Sequence, residues 1–244
     1  KGLPGVKVSL FSDTFSKAKM FAPEVRRVLT FFNGFLPSYP QKEVDVFQNR
    51  SLLISETRRL EREESLYGVV QIQTISSTSV GSTSDLQEEN SKRSQTQIAR
   101  QLASQYWGQQ MAPNSGRDTW ITQALSDAYA AYYIRAAFGQ DEYENRMQAV
   151  RNNLEKPEEQ DVTWKKIDAK SRTYSPAGST RFSDVPEKFR SDYGFYVLSE
   201  MLRLRIGNQA YFTALENLAE QDRVNTAVLQ HVMEETSKQN LDDF

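Results

Sequence analysis

Apolar and polar residues alternate in the first third of the chain, which is typical of half-buried β-strands. Alternation predicts strands over 6–11, 44–47 and 67–75, and the last of these is the richest in β-branched residues. A short apolar run predicts a further strand over 52–54. Apolar residues spaced three and four apart predict one helix over 14–32 among these strands.

Helical spacing replaces alternation in the rest of the chain. It predicts helices that begin at residue 96 and then cover 120–138, 142–155, 192–206, 209–220 and 226–236. Residues 76–97 are rich in Ser, Thr, Gln and charge and have little to bury, so they predict a mobile surface loop that leads into the first of these helices. Prolines and a glycine within 157–186 predict an irregular connection.

The two patterns together predict an α+β protein with two lobes. Residues 1–95 form an α/β lobe that ends in the mobile loop at about 76–97, and residues 96–244 form a mostly helical lobe. The chain has 244 residues, which is enough to bury a substantial core.

Composition excludes more kinds of catalytic and metal-binding site than the pattern of helices and strands does. The chain has one histidine and no cysteine, so it cannot form a disulfide, use a cysteine nucleophile or supply two imidazoles to a metal. The single histidine, His231, lies near the end of the last predicted helix, where we expect it on the surface or partly packed. Thirty basic and 32 acidic residues give a net charge of −2, which does not indicate a nucleic-acid partner.

Apolar runs in this sequence are short. We therefore expect no membrane span and no signal peptide within these residues, and the compartment stays unknown, because a lack of cysteine fits any of them.

One segment carries a recognisable pattern. Residues 96–133 read TQIARQLASQYWGQQMAPNSGRDTWITQALSDAYAAYY. This pattern resembles the catalytic core of the aminopeptidase N-type zinc metallopeptidases, the gluzincins, whose motif runs from an HExxH helix through W-G and Pro to D-x-W-L-N-E-G-F-A-x-Y. The matching residues are Ile98, Ala99, Leu102, Ala103, Gln105, Trp107, Gly108, Pro113, Asp118, Trp120, Ala128 and Tyr129.

The resemblance implies that the chemistry of this family has been lost. Two histidines one helical turn apart bind zinc in the family, the glutamate between them is the general base, and a glutamate on the next helix is the third ligand. The corresponding positions here are Arg100, Gln101, Ser104 and Gln123. Arginine has no lone pair to offer a metal, and glutamine is not a base, so the resemblance implies neither a metal nor another cofactor.

Flanking segments are also similar to the family. Residues 22–40 resemble the helix and turn that precede the family's substrate site. In a separate stretch, residues 62–66, the position of the family's amine-binding glutamate is occupied by Ser65, beside Glu64. The tyrosine that stabilises the oxyanion falls on Asp192, beside Tyr193. Glu64, Asp192 and Tyr193 are therefore possible remnants of the family's site.

From this resemblance we expect a thermolysin-like gluzincin fold, with a small mixed-sheet lobe, a mostly helical lobe and a cleft between them. The implied function is that of a catalytically inactive aminopeptidase-like domain, a pseudoenzyme that binds peptide or protein partners or acts as a scaffold in a larger protein. The family's other domains lie outside these residues, so we expect further domains in the full-length protein. The alternative is a hydrolase with a rebuilt, metal-independent site drawn from Glu64, Asp127, Glu142 or Tyr193.

One further expectation concerns Arg100. In this fold its guanidinium points into the cleft where zinc would lie, and it requires partners such as Gln123, Glu64 or Asp127.

Overall fold

The computed structural model describes residues 6–11, 15–34, 36, 42–50, 69–74, 84–155 and 187–244. Three strands, β1 (Lys7–Phe11), β2 (Glu43–Arg50) and β3 (Val69–Thr74), form a sheet in the order β1-β2-β3. These strands confirm the predictions at 6–11, 44–47 and 67–75, whereas the predicted strand at 52–54 lies outside the described residues.

Both pairings in this sheet are parallel, with Lys7 opposite Glu43 and Asp45 opposite Val69. Among the described strands the expected mixed sheet is therefore not seen. The reason is the connection: helix α1 (Phe15–Phe32) returns the chain to the starting end of the sheet, so β2 runs in the same direction as β1. Helix α1 buries Val25, Val28, Leu29 and Phe32, which share one face.

The second helix, α2, extends over Ser84–Ser104 and corrects the sequence prediction. The loop predicted over 76–97 is wrong from Ser84 onward, and residues 76–83 lie outside the described part of the chain. This polar segment is helical because some of its polar side chains bond to neighbouring helices. Gln95 is only 3% exposed and accepts a hydrogen bond from Tyr133, while Ser91 donates one to Glu24.

The remaining helices agree with the prediction within a few residues at each end. A π-helical segment, Gln105–Gln110, follows α2, and a second one, Val197–Met201, interrupts the helix predicted over 192–206. The other helices are α3 (Thr119–Phe138), α4 (Gln140–Glu155), α5 (Glu187–Tyr196), α6 (Leu202–Ile206), α7 (Asn208–Ala219) and α8 (Thr226–Ser237).

Helix α3 is the centre of the core. It is buried continuously from Ala124 to Ile134, because small alanines and flat tyrosine rings let its neighbours approach from all sides. One cluster of buried residues connects α1, α2 and β2 through α3 to α7 and α8. The predicted lobe boundary between residues 95 and 96 falls inside α2.

The described part of the protein is thus mostly helical with a small sheet, which is α+β in the general sense. His231 is on the surface, as predicted: its side chain is 77% exposed, and its Nε2 lies 3.8 Å from Glu235. Over the same described residues, none of the helices combines the length and apolar content needed for a membrane span.

Candidate functional site

Helices α2 and α3 form the framework of the site, and two contacts define their relative direction. The Tyr133 hydroxyl donates to Gln95 Oε1 at 2.7 Å, and Arg100 Nε lies 2.7 Å from Asp127 Oδ1. Residue 95 of α2 therefore contacts residue 133 of α3, whereas residue 100 contacts residue 127. Since the residue number rises on α2 while it falls on α3, the two helices are antiparallel. From this register we expect Ser104 to lie near Gln123, one further turn along each helix.

The chain between the two helices is shaped by a glycine. Gly108 has φ 147° and ψ −27°, and Trp107 before it also leaves the helical region, so α2 ends in this π-helical segment. The turn buries Trp107 against Tyr129, with ring centroids 5.3 Å apart. It continues into strand β4 (Ala112–Pro113), which pairs in parallel with β5 (Arg223–Val224) just before α8.

Asp127 is the centre of a charged cluster at the α2–α3 interface. Its side chain is 10% exposed, and besides Arg100 it has Arg146 Nη2 at 3.9 Å from Oδ1. Ser191 Oγ donates to its other oxygen, Oδ2, at 3.2 Å. One largely buried carboxylate on α3 therefore faces two guanidiniums and a hydroxyl, each from a different helix.

Arg100 occupies the position of the first zinc-binding histidine in the resemblance, and its partner is one of the three that we expected. Its side chain remains 41% exposed beside the ion pair. Gln123, another expected partner, is exposed and has no hydrogen-bond partner within the described residues. Asp127, one turn further along α3, takes that role instead because a buried guanidinium edge is stabilised by a carboxylate more than by an amide.

Ser104 and Gln101 are the other two replaced positions. Ser104 Oγ donates at 2.7 Å to the backbone carbonyl of Gln101, in its own helix. Gln101 itself is half-buried on α2.

Two of the three possible remnants lie within the described residues. Glu64 lies outside the described residues. Asp192 accepts a hydrogen bond from Asn153 Nδ2 at 2.9 Å and so faces α4, and Tyr193 is half-buried beside it. Glu142, a candidate of the alternative hypothesis, lies 3.3 Å from Lys92 Nζ. Asp192 and Glu142 therefore pair with different helices, α4 and α2.

Sequence reasoning missed Arg146 and Ser191, because each lies on a helix whose position relative to Asp127 depends on tertiary packing. It also missed a second buried charge, Glu200, which accepts hydrogen bonds from the Tyr143 hydroxyl and from Arg203 Nη2, the latter at 2.8 Å. Burial and the adjacent Glu200 carboxylate raise the pKa of the Tyr143 hydroxyl, which therefore stays protonated as a donor. The signal in the sequence was a Glu inside the apolar run 197–202.

The cluster is a set of charged and polar contacts around one carboxylate. Asp127 Oδ1 faces Arg100 and Arg146, and Oδ2 accepts from Ser191, so the carboxylate is the counterion of two guanidiniums. Nowhere in the described ranges do three or more His, Cys, Asp or Glu residues converge in a way that could hold a metal ion. No protein-family model matches this chain, and no curated protein matches it.

Proposed function

We propose that this chain is a catalytically inactive, aminopeptidase N-like domain that binds a peptide or protein partner. The observation that carries the proposal is the Arg100–Asp127 ion pair. It puts a guanidinium on the helix face where the resemblance places the first zinc-binding histidine, and the antiparallel partner helix supplies the counterion.

A positive charge fixed at that position repels a divalent metal. Ser104 bonds back to its own helix, and Gln123 is a neutral amide, so neither replaces the lost ligands. Hydrolysis by the family's mechanism requires a metal-activated water and a carboxylate base, and here position 101 carries an amide. The domain therefore retains a surface between two helices without the reacting groups.

That surface has features suited to binding. Arg100 is held by Asp127 yet keeps 41% of its side chain exposed, so it is oriented toward solvent at little further entropic cost. A guanidinium held in this way donates hydrogen bonds to a peptide carbonyl or a terminal carboxylate.

The first experiment tests catalytic inactivity. Purified protein is dialysed against zinc, its metal content is measured, and hydrolysis of a panel of aminoacyl-nitroanilides is followed with and without a chelator. We expect no stoichiometric zinc and no turnover. Stoichiometric zinc with chelator-sensitive turnover would overturn the proposal, and turnover that resists the chelator would favour the alternative metal-independent hydrolase.

The second experiment tests binding at Arg100. A library of tri- and tetrapeptides with free termini is titrated into the parent protein and into an Arg100→Leu variant, with Arg117→Leu, which alters an exposed arginine, as the control. We expect peptides that bind the parent and the control to bind Arg100→Leu about five- to ten-fold more weakly, because a charged hydrogen bond is lost. Equal affinity for all three proteins would show that the surface around Arg100 is not the binding site.

A further inference from the structure

A second groove lies along α4, away from the Arg100–Asp127 cluster. It has a volume of about 610 Å³, within the range of ligand sites, and none of its lining residues belongs to that cluster. The lining residues used below are Arg135, Tyr143, Glu144, Arg151, Glu200 and Arg203.

The middle of this groove is electrically neutral. Arg203 donates from Nη2 to Glu200 at 2.8 Å, from Nη1 to Asn208 at 2.6 Å and from Nε to the Ser199 carbonyl at 2.9 Å. All three nitrogens of this guanidinium are engaged, and the charge of Glu200 offsets its own. This pair forms a fixed floor and is not free for a ligand.

Two other guanidiniums in the groove lack an anion. Arg135 is centred 5.7 Å from the Tyr143 ring, and Arg151 is centred 6.0 Å from the Tyr196 ring. Throughout the described ranges, neither has a hydrogen bond or ion pair, and Arg151 Nε is buried without any partner. Stacking on an aromatic ring orients each guanidinium while leaving its donors unused.

The two arginines rest against different aromatic rings. Tyr143, whose ring faces Arg135, and Arg151 are eight positions apart on α4, which corresponds to about 12 Å along the helix axis. We therefore expect each guanidinium to hold a separate anionic group. An extended peptide rises about 3.3 Å per residue, so its first and fifth side chains are about 13 Å apart and point to the same side.

We propose that this groove binds an extended acidic peptide segment of a partner protein, with carboxylates four positions apart held by Arg135 and Arg151. A nucleic acid strand fits less well, because it carries a phosphate about every 3.4 Å of helix rise, and the Glu144 carboxylate in the groove would repel the intervening charges. This site is independent of the proposed function, since it requires neither the family resemblance nor the surface around Arg100.

The test uses a fluorescein-labelled pentapeptide, Asp-Ser-Gly-Ser-Asp with blocked ends, and the same peptide with Asn in place of both Asp residues. Binding is measured by fluorescence anisotropy with the whole chain, with Arg135→Gln, with Arg151→Gln and with the double variant. Arg117→Gln is the matched control, because this arginine is also exposed but lies outside the groove. Circular dichroism checks that every variant is folded.

We expect saturable binding of the acidic peptide to the parent and the control, a loss of about five- to ten-fold in each single variant, and no measurable binding in the double variant. Affinity should also fall as salt is added. The proposal would be overturned by no saturable binding, by equal affinity of the Asn peptide, or by unchanged affinity in the folded double variant. A single-stranded oligonucleotide that binds more tightly than the peptide, and loses binding in the double variant, would overturn the peptide assignment.

Discussion

Asp127 lies between two guanidiniums, so its charge is expected to matter to stability. Asp127→Asn keeps the shape of the side chain but leaves Arg100 and Arg146 without their counterion. We expect the free energy of unfolding in urea to fall by about 1–2 kcal/mol. This is less than the loss of about 3–5 kcal/mol for a fully buried pair, because water can still reach Arg100.

The control for this variant is Asp243→Asn. Asp243 also pairs with an arginine, Arg205, but its side chain is 73% exposed. Surface pairs of this kind contribute about 0–1 kcal/mol. If the two variants lost the same stability, the cluster around Asp127 would be no more than a surface ion pair.

Glu24 is a second residue whose surroundings have a measurable consequence. Its Oε1 accepts from Ser91 Oγ at 2.9 Å, while Oε2 is buried without a partner within the described residues. Burial raises the pKa of this carboxyl above its ordinary value of 4.5, and the Ser91 hydrogen bond and the Arg27 charge only partly oppose this effect.

The sign of the pH dependence follows from this shift. A carboxyl with a raised pKa binds its proton more tightly in the folded state, so it destabilises the protein least below 4.5 and most above its folded-state pKa. We expect Glu24→Gln to raise the free energy of unfolding by up to about 1 kcal/mol near neutral pH, since solvent screens a partly exposed group.

The measurement is urea unfolding of parent and Glu24→Gln protein from neutral pH down to about 4.5, the ordinary carboxyl pKa. The difference between them should shrink as the pH falls, because the parent carboxyl becomes neutral as well. A difference that stays constant or grows on acidification would contradict the assigned burial effect.

At the scale of elements, Gly108 decides how α2 ends. A side chain at φ 147° strains the backbone, although a Cβ there would meet only Thr122, whose Cβ lies 3.9 Å away, an ordinary contact. We therefore expect Gly108→Ala to lower the free energy of unfolding by about 1–3 kcal/mol through backbone strain alone.

Gly116 provides the control, because its φ is not positive and a Cβ at this position would lie in open space among the described residues. Gly116→Ala should be neutral or stabilising by up to about 1 kcal/mol. Thermal unfolding followed by circular dichroism distinguishes the two variants. Equal melting temperatures would mean that the π-helical segment relaxes around the new side chain.

The elements differ in how far the sequence pattern could predict them. Strands β1 and β2 and helix α1 follow from periodicity, because their apolar residues face the core on one side. Residues 84–97 were misassigned because periodicity counts only apolar residues, whereas Ser91 and Gln95 are held through hydrogen bonds to Glu24 and to Tyr133. No local pattern records a partner on another helix.

The candidate site at Asp127 could likewise be predicted only in part, because some of its members lie on other helices. The need of Arg100 for a counterion could be predicted from its charge and its helix position, and Asp127 was among the expected partners. Arg146 and Ser191 could not be predicted, because their approach to Asp127 depends on how α4 and α5 pack against α3. A charged residue such as Arg100 therefore predicts that a counterion is present, whereas the packing of the helices determines which residue supplies it.

At the scale of the whole molecule, the family resemblance itself can be tested by rebuilding the site. The variant Arg100→His, Gln101→Glu, Ser104→His, Gln123→Glu restores all four groups of the family motif. The two histidines would share a face of α2, and from the antiparallel register of α2 and α3 we expect position 123 to lie near position 104. We expect this variant to bind one zinc ion per chain, while the parent binds none.

Zinc content after dialysis and the absorption spectrum of the cobalt-substituted protein are the two measurements. Tetrahedral coordination by two imidazoles, a carboxylate and water gives the geometry typical of a catalytic zinc site. The control carries only Arg100→His and Ser104→His, which supply two ligands and should bind far more weakly. If the folded fourfold variant bound zinc no better than this control, positions 100, 104 and 123 would not converge, and the resemblance to aminopeptidase N would fail where it is most specific.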